Sequence, residues 1–180
     1  MIGTKKSRNI AFLSTYPPRE CGLATFTEDL VNEIDKISCI RPRVIAVGHM
    51  EEYADSRVEY KLSQHDRTSY LQIALWANRN VELLVIEHEY GIFGGECGEY
   101  ILDLAKELTI PFVVTTHTVL QEPSFKQRTI LRELGRLSAN VVVMAESSIP
   151  ILVGKYGIES RKIVFIPLGV PICPWNRERN

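Results

Sequence analysis

Three segments of the chain carry side chains whose types and spacing could do chemistry. The richest is Glu87-His88-Glu89-Tyr90-Gly91-Ile92-Phe93-Gly94-Gly95-Glu96-Cys97-Gly98, which follows an apolar run containing Val85 and Ile86. Imidazole and carboxylate groups can hydrogen-bond sugar hydroxyls or stabilise developing charge, and Gly91, Gly94 and Gly95 suit a tight surface loop. A second segment, Thr115-Thr116-His117-Thr118, follows another apolar run. His88 and His117 are therefore expected at one ligand-facing edge, at the ends of consecutive strands. The third, Thr15-Tyr16-Pro17-Pro18-Arg19-Glu20-Cys21-Gly22, opens straight into a helical pattern. A glycine at such a junction lets a ligand approach the backbone, and the free N–H groups of the helix start favour phosphate or another anion. Each feature also has a plainer reading: a turn glycine at Gly22, and a histidine making only local hydrogen bonds at His88.

Spacing removes several alternatives. No second histidine follows His88 as H-E-x-x-H zinc binding demands, and neither G-x-G-x-x-G nor G-x-x-x-x-G-K-[ST] occurs. The G-x-S-x-G elbow of α/β-hydrolases is missing as well. His49 and His65 have no comparable placement and read as surface residues.

The elements that must position these segments are legible as an alternation of short apolar runs with helical periodicity, the pattern of a parallel sheet flanked by helices. Residues 9–14, 43–48, 82–88, 111–116, 140–144 and 162–166 read as buried strands, with 58–62 as a further short one. Leu23, Phe26, Leu30, Ile34 and Ile37 form one helical stripe. Further stripes run through Leu71, Ala74, Leu75 and Asn78, through Ile101, Leu104, Ala105 and Leu108, and through Gln127, Ile130, Leu131, Leu134 and Leu137. Ser147-Ser148-Ile149-Pro150 reads as a capped helix start, and Gly157 as the stop. In an open parallel sheet ligands bind beyond the carboxyl ends of the strands, which is where all three segments fall.

Composition sets the outer limits. The 180 residues are 45% hydrophobic and 24% charged, with 21 basic and 22 acidic residues and a net charge of −1. That is the size of one globular domain of about 100 to 200 residues, and the charge balance argues against a dedicated nucleic-acid binder. The apolar runs fall well short of the roughly 18 residues of a membrane span, and no secretory leader is legible. Cys21, Cys39, Cys97 and Cys173 have neither zinc-site nor disulfide-framework spacing, so reduced thiols in the cytoplasm are expected.

In order and spacing, Thr15 to Phe26, Glu87 to Gly95, Thr115 to Thr118, Tyr156-Gly157-Ile158 and Ile166-Pro167-Leu168-Gly169-Val170 resemble the N-terminal domain of family 4 retaining glycosyltransferases, which have the GT-B fold. The match covers nearly the whole chain. It implies a Rossmann-like α/β/α domain over residues 1–170, one half of a GT-B enzyme, with 171–180 a tail or the start of an interdomain connection. It also implies transfer of a hexose from a nucleotide-sugar donor to a glycan or lipid acceptor with retention of configuration, with no metal and no other cofactor, in the cytoplasm or at the inner face of its membrane. By position, Gly22 matches the loop that approaches the donor diphosphate, with Thr25 its neighbour. His117 matches the catalytic-site histidine that contacts the transferred sugar. His88, Glu89, Gly94 and Gly95 match the loop lining the acceptor side.

Three features depart from the family pattern. Cys21-Gly22 stands where a glycine pair is usual, Leu168 replaces the polar residue of the Ile-Pro-His/Asn-Gly hinge, and the donor-binding C-terminal domain has no counterpart in the 180 residues. The isolated chain is therefore expected to be inactive without that partner domain. Two other functions are compatible with the residues: a non-catalytic or degenerate sugar-binding module, and another doubly wound protein such as a nucleotide-binding or epimerase-like enzyme.

Overall fold

The computed structural model of the protein describes residues 7–48 and 52–169. Its centre is a seven-stranded parallel sheet in the order β3-β2-β1-β4-β5-β6-β7. The strands are β1 (Arg8–Ser14), β2 (Ile40–Val47), β3 (Val58–Leu62), β4 (Leu83–His88), β5 (Phe112–Thr116), β6 (Asn140–Val143) and β7 (Ile163–Phe165). All seven expected strands are present, with ends displaced by up to three residues. The helices are α1 (Gly22–Asp35), α2 (Arg67–Asn80), α3 (Ile101–Glu107), α4 (Phe125–Leu137) and α5 (Ser148–Ile151), the last continuing into a π-helical turn, Leu152–Tyr156. The fold is Rossmann-like, as expected.

Strand order decides which face each helix covers. Parallel crossovers are right-handed, so connections running from β1 outward to β3 use one face of the sheet, and those running back from β3 through β7 use the other. Accordingly α1 packs on what we call the front face, over Phe12, Val44 and Ala46. On the back face α2, α3 and α4 bury Tyr70, Ile73, Ile101, Leu104, Ile130 and Leu134 against Leu84, Ile86 and Val114. A second back-face cluster joins Leu131, Val141, Val143, Leu152, Tyr156 and Ile158.

Two helical stripes differ from expectation. In α1 the fully buried positions are Ala24, Thr27 and Val31. Phe26, Leu30 and Ile34 instead flank an open groove, and Ile37 lies exposed beyond the helix end. In α2 the inward face is Ser69, Tyr70, Ile73, Ala74 and Ala77, leaving Leu71 and Leu75 in solvent. The three- and four-residue spacing was right, but an amphipathic pattern with apolar residues on both sides does not say which side meets the sheet. The α3 and α4 stripes pack as expected. Gly157, at φ 68°, ends the last turn in the left-handed region, although Ser147 makes no capping bond.

Among the described residues nothing beyond α1 covers the front face. Val85, Val113, Val142 and Met144 floor a groove of about 920 Å³, with Leu30 of α1 along one side and Ile166–Gly169 along the other. Parallel sheets are ordinarily covered on both faces, so this apolar surface is an unusual feature of the chain as it stands. Among the described residues no helix is long and apolar enough to cross a membrane. Cys21, Cys39 and Cys97 are free thiols. His49, Cys173 and the 171–180 tail lie outside the described residues.

Candidate functional site

The period of two along a strand sets the site. In β4, Leu83, Val85 and Glu87 face the groove while Leu84, Ile86 and His88 face the back. Glu87 pairs with Thr115 of β5, so His117, two residues further on, shares their face. The His117 ring turns back to Glu87, whose carboxylate accepts its Nε2–H at 2.8 Å. Thr115 Oγ1 lies 3.4 Å from the other carboxylate oxygen. Phe26 of α1 meets the imidazole edge-on, 4.9 Å between ring centres, and completes the wall. The His117 side chain keeps 15% of its surface exposed, while Glu87 has none. Glu87 was not singled out from the sequence. The available signal was a carboxylate closing a strand that is otherwise apolar, a residue type almost never fully buried without a partner.

His88 is placed differently from expectation. It lies on the back face, wholly buried, edge-on to Tyr90 and stacked with Phe93. Neither ring nitrogen has a hydrogen-bond partner among the described residues. Burial, with a smaller contribution from His117, lowers its pKa to about 4, so the ring is neutral at physiological pH. The two histidines end neighbouring strands but project to opposite faces. Their link is the backbone, where His117 N–H donates to the His88 carbonyl at 3.0 Å.

Glu89 turns out of β4 and ties two loops together. Its carboxylate accepts from the Tyr90 N–H at 3.0 Å and from the Thr118 hydroxyl. Gly94 is buried, and its N–H donates to Tyr70 Oη at 2.7 Å. An added Cβ there would sit 2.0 Å from the Gln64 carbonyl oxygen. Gly95 has φ +79°, in the left-handed region that disfavours other residues. The internal packing of the loop therefore accounts for both glycines. Burial pushes the Tyr70 hydroxyl up to about 12, keeping it a neutral donor to the Gln64 carbonyl at 2.9 Å.

At the β1 exit, Cys21 supplies what its position requires as a helix cap. Its thiol accepts from Ala24 N–H at 3.4 Å and lies 3.3 Å from Thr15 Oγ1. The cap leaves the amides of Gly22 and Leu23 as unused donors at the start of α1. Gly22 is exposed, and a Cβ there would meet nothing within 4 Å. Nothing inside the chain demands glycine at this position, in contrast to Gly94. Thr25 is exposed on the next turn. The loop is anchored by Tyr16, which donates to Asp55 at 2.7 Å, and by Arg57, which binds the same carboxylate. The Arg57 guanidinium holds Asp55 well below the usual carboxylate range, and burial drives the Tyr16 hydroxyl far above its ordinary value.

Gly22 and His117 are thus assembled around one end of α1, at the carboxyl edge of the central strands. His88 is withdrawn into the core. Among the described residues no group of three His, Cys, Asp or Glu side chains is placed to hold a metal ion.

No protein-family profile and no curated protein sequence matches the chain. Solved structures do match it in fold. A UDP-N-acetylglucosamine 2-epimerase superposes over 88% of this chain and 47% of its own, with TM-score 0.63 and 12% identity. HepE from Anabaena, in complex with UDP and glucose, superposes over 91% and 45%, with TM-score 0.62 and 12% identity. A glycosyltransferase from Rickettsia africae superposes over 91% and 44%, with TM-score 0.59 and 18% identity. The chain therefore shares its fold with part of such proteins and spans somewhat less than half of their length.

Proposed function

We propose that this chain is the acceptor-side half of a glycosyltransferase that uses a nucleotide-sugar donor. The observation that carries the reading is the meeting, at one sheet edge, of an uncrowded helix start at Gly22 with a histidine oriented by a buried carboxylate. Its support is the fold shared with a glycosyltransferase and with a protein bound to UDP and glucose. On this reading the Gly22 and Leu23 amides and the Thr25 hydroxyl approach the donor diphosphate, where oriented N–H groups offset the charge that grows as the sugar–phosphate bond breaks. His117 contacts the sugar undergoing transfer. Glu89, with the loop through Gly94 and Gly95, borders the acceptor side. The donor-binding half comes from outside these 180 residues, and transfer proceeds with retention to a glycan or lipid hydroxyl.

Titrating the chain, joined to its donor half, with UDP-glucose while following amide resonances tests this directly. Shifts at Gly22, Leu23, Thr25 and His117 are expected, and no response at millimolar sugar nucleotide would count heavily against it. In the protein joined to its donor half, His117→Ala should lower kcat at least 10²-fold with little change in melting temperature. A second reading, an epimerase, is favoured by the fold shared with the UDP-N-acetylglucosamine 2-epimerase. It predicts conversion of UDP-N-acetylglucosamine with no acceptor present, whereas the transferase reading predicts none.

A further inference from the structure

We infer that Glu87 is a positioning residue that fixes the tautomer and aim of His117, so that Nδ1 offers its lone pair to a hydroxyl of the bound ligand. The assignment of that hydroxyl to a sugar rests on the transferase reading above.

The side chains on this face of β4 are Leu83, Val85 and then Glu87, and the groove beneath them is apolar. A carboxylate taken fully out of water is costly unless well paired. Glu87 has one good partner, His117 Nε2 at 2.8 Å, and one long one, the Thr115 hydroxyl at 3.4 Å. A valine would continue the strand's pattern and pack against Val113, so stability alone does not call for a carboxylate here. What the carboxylate supplies is a fixed acceptor. Because it only accepts, the neutral ring must carry its proton on Nε2, and the bond made by one nitrogen decides the state of the other. Nδ1 then has a free lone pair, the ring's hydrogen bond to Glu87 being made through Nε2. Phe26 against the ring and the backbone bond from His117 N–H to His88 hold the imidazole plane. The other ionisable groups nearby are Asp29 of α1 in the groove wall, Glu33 and Lys36 further along it and paired with each other, His88 behind the strand, and Glu89, which is committed to Thr118.

Nitrogen-15 chemical shifts of the imidazole at pH 7.5 test the idea without any substitution. Protonated Nε2 and unprotonated Nδ1 are expected, and the opposite tautomer would overturn it. Glu87→Gln, whose amide can donate as well as accept, should lose the single tautomer, and Glu87→Val should give a mixture and melt no lower than the wild type. A Val variant that keeps a single tautomer, or that melts far lower, would show a purely structural role. In the protein joined to its donor half, Glu87→Val should reduce kcat about tenfold or more at nearly unchanged KM, and Glu87→Gln should lower it as well. Equal kcat in all three proteins would defeat the positioning role. If the wild type turns over no nucleotide sugar while the tautomer results hold, the transferase reading fails and the Glu87–His117 pairing stands.

Discussion

At the scale of single residues, the two histidines have opposite physical tasks. His117 is held at the surface by a charge, and His88 is kept neutral by burial. The pKa of His88 falls from 6.5 to about 4 on folding. Between those values the unfolded chain binds a proton that the native protein does not, so stability falls as pH drops through that window and is complete above it. The expected loss from pH 7 to pH 4 is on the order of 3 kcal/mol. Denaturant unfolding at a series of pH values should show this slope, and His88→Phe should flatten it. Asp55, depressed mainly by its bond to Arg57, adds a loss only at lower pH, as the solution falls through its own titration. The glycines divide just as sharply. Gly94→Ala drives a Cβ to 2.0 Å from a backbone oxygen, and a cost of about 3 kcal/mol or more is expected. Gly22→Ala meets nothing in the chain and should leave the melting temperature within a degree or two, while weakening UDP-glucose binding if a ligand approaches there.

At the scale of elements, helix ends and helix faces carry different amounts of information. The α4 helix begins with a reciprocal capping box, in which Ser124 accepts from Gln127 N–H and the Gln127 side chain accepts from Ser124 N–H. Ser124→Ala should cost about 1 kcal/mol in equilibrium unfolding. Its motif was present in the sequence, yet the expected reading of Gln127 was as part of an apolar stripe. The α1 and α2 faces show the complementary difficulty. Leu71 and Leu75 are as apolar as Ile73 and lie in solvent, because a sheet accepts one side of a helix and the rival stripe is left over. Cys21 was a departure from a glycine pair in sequence, and in the structure it is the thiol that caps α1.

At the scale of the molecule, the dominant feature is the front face, which the described residues leave uncovered beyond α1. Val141 and Val142 are adjacent in β6 and make a direct comparison, one buried under α4 and the π-helical turn, the other facing the groove. Val141→Asp buries an unpaired charge and should cost several kcal/mol or prevent folding. Val142→Asp should be tolerated within about 1 kcal/mol in the isolated chain and should reduce binding of a hydrophobic dye. Equal losses from the two substitutions would mean that the groove is closed in solution.

The sequence by itself determined the parallel α/β class, the number of strands and their places along the chain, and the loops at which a ligand would be met. Those depend on local periodicity and on the rule that sheet ligands bind at strand ends. Only the tertiary structure decided which chemistry-bearing side chains meet. His88 and His117 look equivalent along the chain, but the register that pairs Glu87 with Thr115 gives His117 the parity of Glu87 and sends His88 to the other face. A shift of one residue in that register would put both histidines on the same face and separate His117 from Glu87, because side chains alternate with a period of two and the pairing between distant strands is set by packing, not by either strand's own sequence.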